Sequence, residues 1–280
     1  MPDDPIDQTP AIYQGPERRW LGSYLRVGAL EIPYVNRASA IQAIEKSFED
    51  RRQIRVAFCN ANTMLKALDS RDYMRALGRF LVLNDGLGVD ICSRLFAGRR
   101  FEQNLNGTDF IPALMRESGR DLKIFLLGAK PGVADEAARQ IEDRYPRHRV
   151  VGTHDGYFTD AEAPEVVAEI NAAAPDLLLV ALGNPRQEMF VAAHAASIEA
   201  PAVIMVGALF DFIAGRVARA PKIVQTLRAE WLFRLAQEPR RLGKRYTVDV
   251  VRFFATIFWL RFRGAVAGID LAARRLRPES

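Results

Sequence analysis

Short runs of consecutive apolar residues alternate along the chain with longer stretches in which apolar residues recur every three or four positions. The runs predict buried strands over residues 55–59, 80–83, 123–127, 177–182 and 203–206. The 3.6-residue spacing predicts helices over residues 39–50, 63–68, 88–96, 110–118, 132–144, 164–173, 186–197 and 223–237, and short alternating segments predict a hairpin over 24–34. Apolar strands separated by helices indicate an α/β, Rossmann-like fold, in which a mostly parallel sheet carries helices on both faces.

Glycine-containing turns follow four of the predicted strands, at residues 84–88, 128–132, 183–188 and 207–212. Ligands of an open parallel sheet bind beyond the carboxyl ends of its strands, and the helix N-termini found there favour anions. We therefore expect the four turns to outline one ligand-binding crevice, although glycines that merely turn the chain are the alternative. None of the turns matches the GxGxxG or P-loop pattern, so neither a dinucleotide nor an ATP site is indicated.

Charge is distributed unevenly between the body and the tail of the chain. The 280 residues include 39 lysines and arginines and 34 aspartates and glutamates, for a net charge of +5. Residues 216–280 hold 15 of the basic residues and 5 of the acidic ones, so the tail carries +10 and the remainder −5. With 49% apolar and 26% charged residues, the composition excludes a disordered chain, a collagen-like repeat and a small disulfide scaffold.

These patterns divide the chain into three parts. Residues 1–20, rich in proline, read as a flexible leader. Residues 21–222 form the predicted α/β core, and residues 223–280 form a basic, aromatic-rich helical appendage.

The appendage combines aromatic and basic residues at high density. Residues 231–262 contain 8 of the 26 aromatic residues. On a helix, Asp249, Arg252, Thr256 and Arg263 would form a narrow polar stripe on an otherwise apolar surface. Such a helix is typical of one that lies in the interface of an anionic membrane. The alternatives are a helix packed on the body of the protein or in a dimer interface.

Three further features of the sequence indicate where in the cell the protein works and how it contacts the membrane. The longest uncharged stretch of the tail has eight residues, whereas a membrane span needs about 20. The start of the chain has no basic segment followed by an apolar run, as a signal peptide would. Cys59 and Cys92 have neither metal-binding nor redox spacing. We therefore expect a cytoplasmic protein that is peripheral on the inner face of the cell membrane.

Several short motifs occur in an order that resembles the WecG/TagA/CpsF glycosyltransferase family (glycosyltransferase family 26), over roughly residues 25–250. They are NA at 60–61, NDGLG at 84–88, NGTD at 106–109, FLLG at 125–128, GTHDGYF at 152–158, GNPRQE at 183–188, FDF at 210–212, RAP at 219–221, EWLFR at 230–234 and EPRR at 238–241. Each is a weak signal alone, but their order is specific. The resemblance implies an inverting enzyme that moves a sugar, N-acetylmannosamine or a related hexose, from a UDP-sugar to a polyprenyl-diphosphate-linked saccharide in cell-surface polysaccharide biosynthesis.

The resemblance also implies roles for individual residues. Asp85 looks like the family's catalytic base, which takes the proton of the acceptor hydroxyl as that oxygen attacks the anomeric carbon. Arg234 and Arg241 lie in a segment similar to the family's C-terminal appendage, where arginines neutralise the departing UDP. Gln187 and Asp211 resemble residues that hold the nucleotide, with Asp211 at the uridine end. The other predicted substrate-binding residues are Asn60, Asn84, Gly86, Asn106, Thr108, Asp109, Gly128, Gly183 and Gly207.

Structural alternatives stand beside these roles. Asp85 could instead form an Asx turn or cap the helix that begins near Gly88. Asn106 or Thr108 could equally cap the helix that starts near Asp109. For most of the basic residues of the tail, a solvated or lipid-facing charge run is the alternative.

No metal-binding pattern accompanies the turns. His148, His154 and His194 have no ligand spacing, and no Asp-x-Asp pair occurs in the turns. We therefore expect no metal and no cofactor, with a UDP-sugar, a lipid-linked acceptor and an anionic membrane as partners and with a homo-oligomer left open. The basic tail leaves a nucleic-acid-binding protein as the alternative function, although the acidic body and the apolar runs of the tail disfavour it. A nucleotide-binding oxidoreductase is disfavoured by the missing GxGxxG pattern.

Overall fold

A computed structural model describes residues 22–218, 220–221, 230–237, 243 and 247–266 of the chain. Six strands form the central sheet, and all of their pairings are parallel. They are β3 (Ile54–Cys59), β4 (Leu81–Asn84), β5 (Lys123–Gly128), β6 (Arg149–His154), β7 (Leu177–Ala181) and β8 (Ala202–Met205), in the spatial order β4-β3-β8-β7-β5-β6. The predicted Rossmann-like sheet is confirmed, and each predicted strand agrees with an observed one to within one residue at either end. The predicted leader lies outside the described residues.

Helices cover both faces of this sheet. Those of the body are α1 (Arg37–Asp50), α2 (Ala61–Asp69), α3 (Arg71–Leu77), α4 (Leu87–Ala97), α5 (Gly107–Glu117), α6 (Val133–Arg144), α7 (Ala163–Ala172), α8 (Arg186–His194) and α9 (Leu209–Ile213). In β7, Leu177 and Leu179 face one apolar cluster, whereas Leu178 and Val180 face the other. A strand buried on both sides has no polar face, which is why the strands appear in the sequence as continuous apolar runs.

A small antiparallel hairpin precedes the sheet, as the sequence predicted. It consists of β1 (Tyr24–Val27) and β2 (Leu30–Pro33). Leu25, Val27, Leu30 and Ile32 of the hairpin belong to the same apolar cluster as residues of α2 and α4. The hairpin therefore extends the core on one face of the sheet.

Three elements of the body, β6, α3 and α9, have no counterpart among the predictions from sequence. Strand β6 lies at the edge of the sheet, and its residues are half-buried or exposed rather than fully buried. An edge strand has a partner strand on one side only and stays in contact with solvent, so it needs few apolar residues. In β6 only Val150 and Val151 have aliphatic side chains. Helix α3 follows α2 after the single residue Ser70, which caps it through a hydrogen bond to the backbone of Tyr73.

The appendage contributes two described helices, α10 (Glu230–Gln237) and α11 (Val248–Val266). Helix α11 packs against α2 and α4 through Phe253 and Ile257, which are fully buried. Arg252 forms an ion pair with Asp69 at 2.9 Å, and Arg261 donates to the carbonyl of Leu95 at 3.1 Å. The predicted alternative of a helix packed on the body is therefore confirmed for one face of α11.

The opposite face of α11 is exposed and apolar. Val251 and Phe262 are each 70% exposed, and Phe258 is 58% exposed. Within the described residues, no helix combines the length and the apolar character that crossing a membrane requires.

Candidate active site

The carboxyl ends of β3 and β4 bring two of the predicted site residues together. The register pairs Cys59 with Asn84, so the residues that follow them, Asn60 and Asp85, are also neighbours. The amide of Asp85 donates to the carbonyl of Cys59 at 2.9 Å, and Nδ2 of Asn60 donates to Oδ2 of Asp85 at 3.3 Å. Asp85 is half-buried. The result is an oriented carboxylate at the edge where the crevice was predicted.

The conformation of Gly86 separates Asp85 from the helix that follows. Gly86, rather than Asp85, is the N-cap residue of α4, with φ of 88°. The amide of Gly86 donates to Oδ1 of Asn104 at 2.7 Å. A left-handed φ of this kind strains any residue other than glycine. Asp85 is therefore not the N-cap residue of α4, and the alternative of an Asx turn stays a prediction.

Asn60 holds the start of α2 as well as the carboxylate. Its Oδ1 accepts from the amides of Asn62 and Thr63, both at 3.1 Å, and from the hydroxyl of Thr63 at 3.3 Å. The cap fixes which end of the Asn60 amide faces the helix, so its N–H group must point to Asp85. The observed contacts of Asn60 therefore position Asp85, and its predicted contact with a sugar hydroxyl stays a prediction.

The segment after α4 folds back onto the same strand end. Asn84 is 1% exposed, and its side-chain Nδ2 donates to the backbone carbonyl of Gln103 at 2.8 Å. The backbone carbonyl of Asn84 accepts from the amide of Leu105. Asn106 caps α5 by accepting from the amide of Asp109 at 3.0 Å. Of the two predicted capping candidates, the structure thus selects Asn106.

Thr108 and Asp109 follow on the first turn of α5. Thr108 is half-buried and Asp109 is exposed. The carboxylate of Asp109 accepts from Nδ2 of Asn106 at 2.9 Å. Both residues thus stand next to the segment that contacts Asn84, and their sugar-binding role stays a prediction.

Gln187 links the turns that follow β7 and β8. Its Oε1 accepts from the amides of Gly183 and Gly207, at 3.2 Å and 3.3 Å, and the side chain is 3% exposed. These two strands are adjacent in the sheet, although about 20 residues separate the turns. Asp211 lies half-buried on α9, just beyond Gly207. The two residues predicted to hold the nucleotide, Gln187 and Asp211, therefore follow two neighbouring turns, on α8 and α9.

Gly128 is required by packing between two strands. Its φ is 126°, and a Cβ placed on it would lie 2.5 Å from the carbonyl carbon and oxygen of Ala181. Such a distance is far inside van der Waals contact, so β5 and β7 could not approach each other as they do. This contact accounts for the glycine, and a role of Gly128 toward substrate stays a prediction.

The structure adds Glu188, which sequence reasoning left without a role. Its side chain is fully buried, and Oε1 accepts from Nε2 of Gln187 at 2.8 Å and from Nδ2 of Asn184 at 3.1 Å. Burial raises the pKa of Glu188, while hydrogen bonds from Gln187 and Tyr73 and the charge of Lys66 oppose this shift. The only signal in the sequence was an acidic residue at the end of the GNPRQE motif.

The two cysteines of the chain are unreactive because they are buried. Both Cys59 and Cys92 are fully buried. Burial raises the pKa of Cys92 to about 12 and that of Cys59 well above its ordinary value. Both are therefore neutral thiols at physiological pH and not nucleophiles.

Among the residues that the structure describes, no three histidine, cysteine, aspartate or glutamate side chains form a group that could hold a metal ion. His148 instead accepts from the amide of Leu122 at Nδ1 and contacts the carbonyl of Met115 at 2.6 Å through Nε2. The prediction of a metal-free reaction stays a prediction. Arg234 lies on α10 with its side chain outside the described part, and Arg241 lies outside the described residues.

Known proteins resemble the chain across both its sheet and its appendage. Residues 25–266 match the family described as the glycosyl transferase WecG/TagA/CpsF family. The chain is also 34% identical over 215 residues to the N-acetylglucosaminyldiphosphoundecaprenol N-acetyl-beta-D-mannosaminyltransferase of Bacillus subtilis (strain 168). This similarity covers 75% of the chain and 83% of the relative. The family match extends from β1 to the end of α11 and includes every turn described above.

Proposed function

Because the chain belongs to the WecG/TagA/CpsF glycosyltransferase family, we propose that it transfers a hexose from a UDP-sugar to a polyprenyl-diphosphate-linked saccharide. By its name, the Bacillus subtilis relative transfers N-acetylmannosamine to N-acetylglucosaminyldiphosphoundecaprenol, which supports a donor of that type and a lipid-linked acceptor for this chain. Membership of an enzyme family disfavours the nucleic-acid-binding alternative. The proposed pathway is the synthesis of a cell-surface polysaccharide.

The observation that carries the proposal is the oriented carboxylate of Asp85. It stands at the carboxyl edge of a parallel sheet, with Asn60 donating to it at 3.3 Å. A hydroxyl is a poor nucleophile until a base removes its proton, and a held carboxylate at the mouth of a crevice suits that task. The amides of Gly183 and Gly207 donate to Gln187, and the turn at Gly183 leads into the N-terminus of α8, which favours an anion such as a diphosphate.

The proposed reaction is a single displacement with inversion. The acceptor oxygen forms a bond to the anomeric carbon while the bond from that carbon to the UDP oxygen breaks. The proton of the acceptor hydroxyl passes to Asp85, and the electron pair of the broken bond leaves with UDP. Arg234 and Arg241 of the appendage neutralise the charge that grows on the leaving group.

The experiment combines the purified protein with UDP-N-acetylmannosamine, UDP-N-acetylglucosamine or UDP-glucose and a short-chain polyprenyl-diphosphate N-acetylglucosamine. We expect mass spectrometry to detect a lipid product larger by one sugar for one of these donors, together with an equal amount of released UDP. NMR of the product then reports the anomeric configuration, which should be opposite to that of the donor. Absence of transfer from every UDP-sugar would refute the proposal, and retained configuration would refute the single displacement.

We propose further that the exposed face of α11 docks the enzyme on the inner surface of the cell membrane. The face is formed by Val251, Phe258 and Phe262, with Val248 and Trp259 also exposed beside them. The basic residues Arg252, Arg261 and Arg263 of the same helix are exposed as well. Apolar side chains bordered by arginines fit a surface of anionic lipid. An enzyme with a polyprenyl-linked acceptor must reach the bilayer, because the lipid cannot leave it.

Replacing Val251, Phe258 and Phe262 together by serine should lower partitioning onto anionic vesicles about 100-fold, because three large apolar contacts with lipid are lost. Sedimentation with phosphatidylglycerol-containing vesicles measures the effect. Met189→Ser, which changes an exposed apolar residue on α8, should sediment like the wild type. These point variants are preferable to deletion of residues 247–280, which would also uncover the groove that Phe253 and Ile257 fill. Unchanged sedimentation would refute membrane docking through this face, and a dimer that the triple variant dissociates would assign the face to another copy of the chain.

A further inference from the structure

Glu188 is a fully buried carboxylate in a turn of the candidate active site, and the proposed transfer step does not use it. It lies at the start of α8, directly after Gln187. Its Oε2 has no hydrogen-bond partner, whereas Oε1 accepts from two amide groups. Burying a carboxylate is costly, so its presence here calls for a physical reason.

The two amide groups converge on Glu188 from different directions. Nε2 of Gln187 reaches Oε1 at 2.8 Å, and Nδ2 of Asn184 reaches the same oxygen at 3.1 Å. An asparagine or glutamine amide can rotate to exchange its oxygen and nitrogen, and only its hydrogen-bond partners select the orientation. Because an oxygen of Glu188 accepts here, both amides must turn their N–H groups toward it.

The orientation of Gln187 determines how two turns are joined. With Nε2 held by Glu188, Oε1 faces the amides of Gly183 and Gly207 and accepts from both. The reverse orientation would place N–H donors against two N–H donors. Glu188 therefore keeps the turns after β7 and β8 linked through Gln187.

The side chain of Asn184 connects the turn after β7 with Asp85, the proposed base, through a series of hydrogen bonds. Its Nδ2 also donates to Oγ1 of Thr63 at 3.0 Å, so the hydroxyl of Thr63 is directed to Oδ1 of Asn60 at 3.3 Å. Asn60 in turn donates to Asp85. Lys66 donates to the carbonyl of Asn184 at 2.8 Å and holds the same turn from α2. One run of hydrogen bonds thus connects three strand ends.

We propose that Glu188 is a positioning residue: by accepting from Gln187 and Asn184 it holds the turns at Gly183 and Gly207 in the form that binds the nucleoside diphosphate of the donor. This inference rests on the proposed function, because it assigns the donor to those two turns. The position needs an acceptor rather than a charge. Glutamine can supply the same oxygen at Oε1 and places its N–H group where Oε2 has no partner. Leucine supplies neither: Nε2 of Gln187 loses the acceptor that it has here, and Nδ2 of Asn184 keeps only the hydroxyls of Thr63 and Tyr73.

The experiment compares Glu188→Leu with Glu188→Gln in the full-length protein, using steady-state kinetics with the donor and the acceptor varied separately. Glu188→Leu should raise KM for the UDP-sugar about 10- to 100-fold, the expected effect of leaving the buried amide of Gln187 without its acceptor, and leave KM for the acceptor within about two-fold. Glu188→Gln should restore the donor KM to within about three-fold of the wild type. UDP should raise the melting temperature of the wild type and of Glu188→Gln, but not that of Glu188→Leu.

Glu31→Leu is the matched control. Glu31 is also a buried carboxylate, 5% exposed, and pairs with Arg26 in the hairpin at 2.7 Å. The Glu31→Leu variant should have a lower melting temperature than the wild type but no selective change in the donor KM. A wild-type donor KM in Glu188→Leu would overturn the inference, and so would equal changes in the donor and acceptor KM.

A second variant keeps the inference testable if Glu188→Leu does not fold. Asn184→Ala removes one of the two amides on Glu188 and cuts the link to Thr63, and it should raise the donor KM about 3- to 10-fold. An unchanged donor KM in this variant would overturn the inference. If the wild type itself transfers nothing from a UDP-sugar, the proposed function fails instead, so the two failures are distinguishable.

Discussion

Asp85→Asn should lower kcat by about 10²- to 10⁴-fold, the usual contribution of a positioned general base. Asparagine has the size of aspartate and can still accept from Nδ2 of Asn60, so the turn at Gly86 should keep its conformation. The amide cannot take the proton of the acceptor hydroxyl. Binding of UDP should be unchanged, because the base acts on the other substrate.

The measurement is release of UDP at saturating donor and acceptor, together with the melting temperature with and without UDP. Asp72→Asn serves as control, since Asp72 is an exposed carboxylate on α3 that pairs with Arg75. It should retain full activity. Wild-type turnover in Asp85→Asn would remove Asp85 from the mechanism, and a lost response to UDP would point to a binding role instead.

Arg241→Ala should lower kcat by about 10²- to 10³-fold, the typical effect of removing one group that stabilises charge in a transition state. The departing UDP gains negative charge as the glycosidic bond breaks. A guanidinium carries a permanent positive charge and can form two hydrogen bonds to a phosphate. The same reasoning predicts that excess EDTA leaves the wild-type rate unchanged.

Arg240→Ala is the neighbouring control, because it removes an equal charge from the same basic segment. It should affect UDP release far less than Arg241→Ala, and both variants should melt like the wild type. Complete loss of activity with EDTA, restored by Mg²⁺ or Mn²⁺, would contradict the metal-free mechanism. The carboxylates of Asp85, Asp109 and Asp211 would then be the ligands to test.

Much of the fold could be predicted from sequence because its strands are buried on both faces. The runs at β5 and β7 contain almost nothing but apolar residues, so their positions were evident. Strand β6 was missed because one of its edges lacks a partner strand and its residues keep contact with solvent. Its sequence, with Gly152, Thr153 and His154, lacks the pattern of a buried strand.

The candidate site could be predicted only as far as the edge of the sheet. Parallel strands place their carboxyl ends on one side, which put Asp85, Gly183 and Gly207 near each other. The hydrogen bonds that Asp85 forms with Asn60, and that the two glycines form with Gln187, could not be predicted. The contact between Asn60 and Asp85 depends on the register of β3 and β4, and the position of Gln187 depends on β7 and β8 being neighbours.

The sequence by itself determined the order of strands and helices, the turns with unusual residues, and an appendage with more apolar surface than one packed face requires. These features arise from interactions over a few residues, such as hydrophobic periodicity and the conformational freedom of glycine. Only the tertiary structure decided that Phe253 and Ile257 of α11 fill the groove on α2 and α4 while Phe258 and Phe262 stay exposed. It also decided that Glu188 holds two amides at once. Both outcomes depend on segments far apart in the chain, whose contacts form only when the whole sheet and its helices pack together.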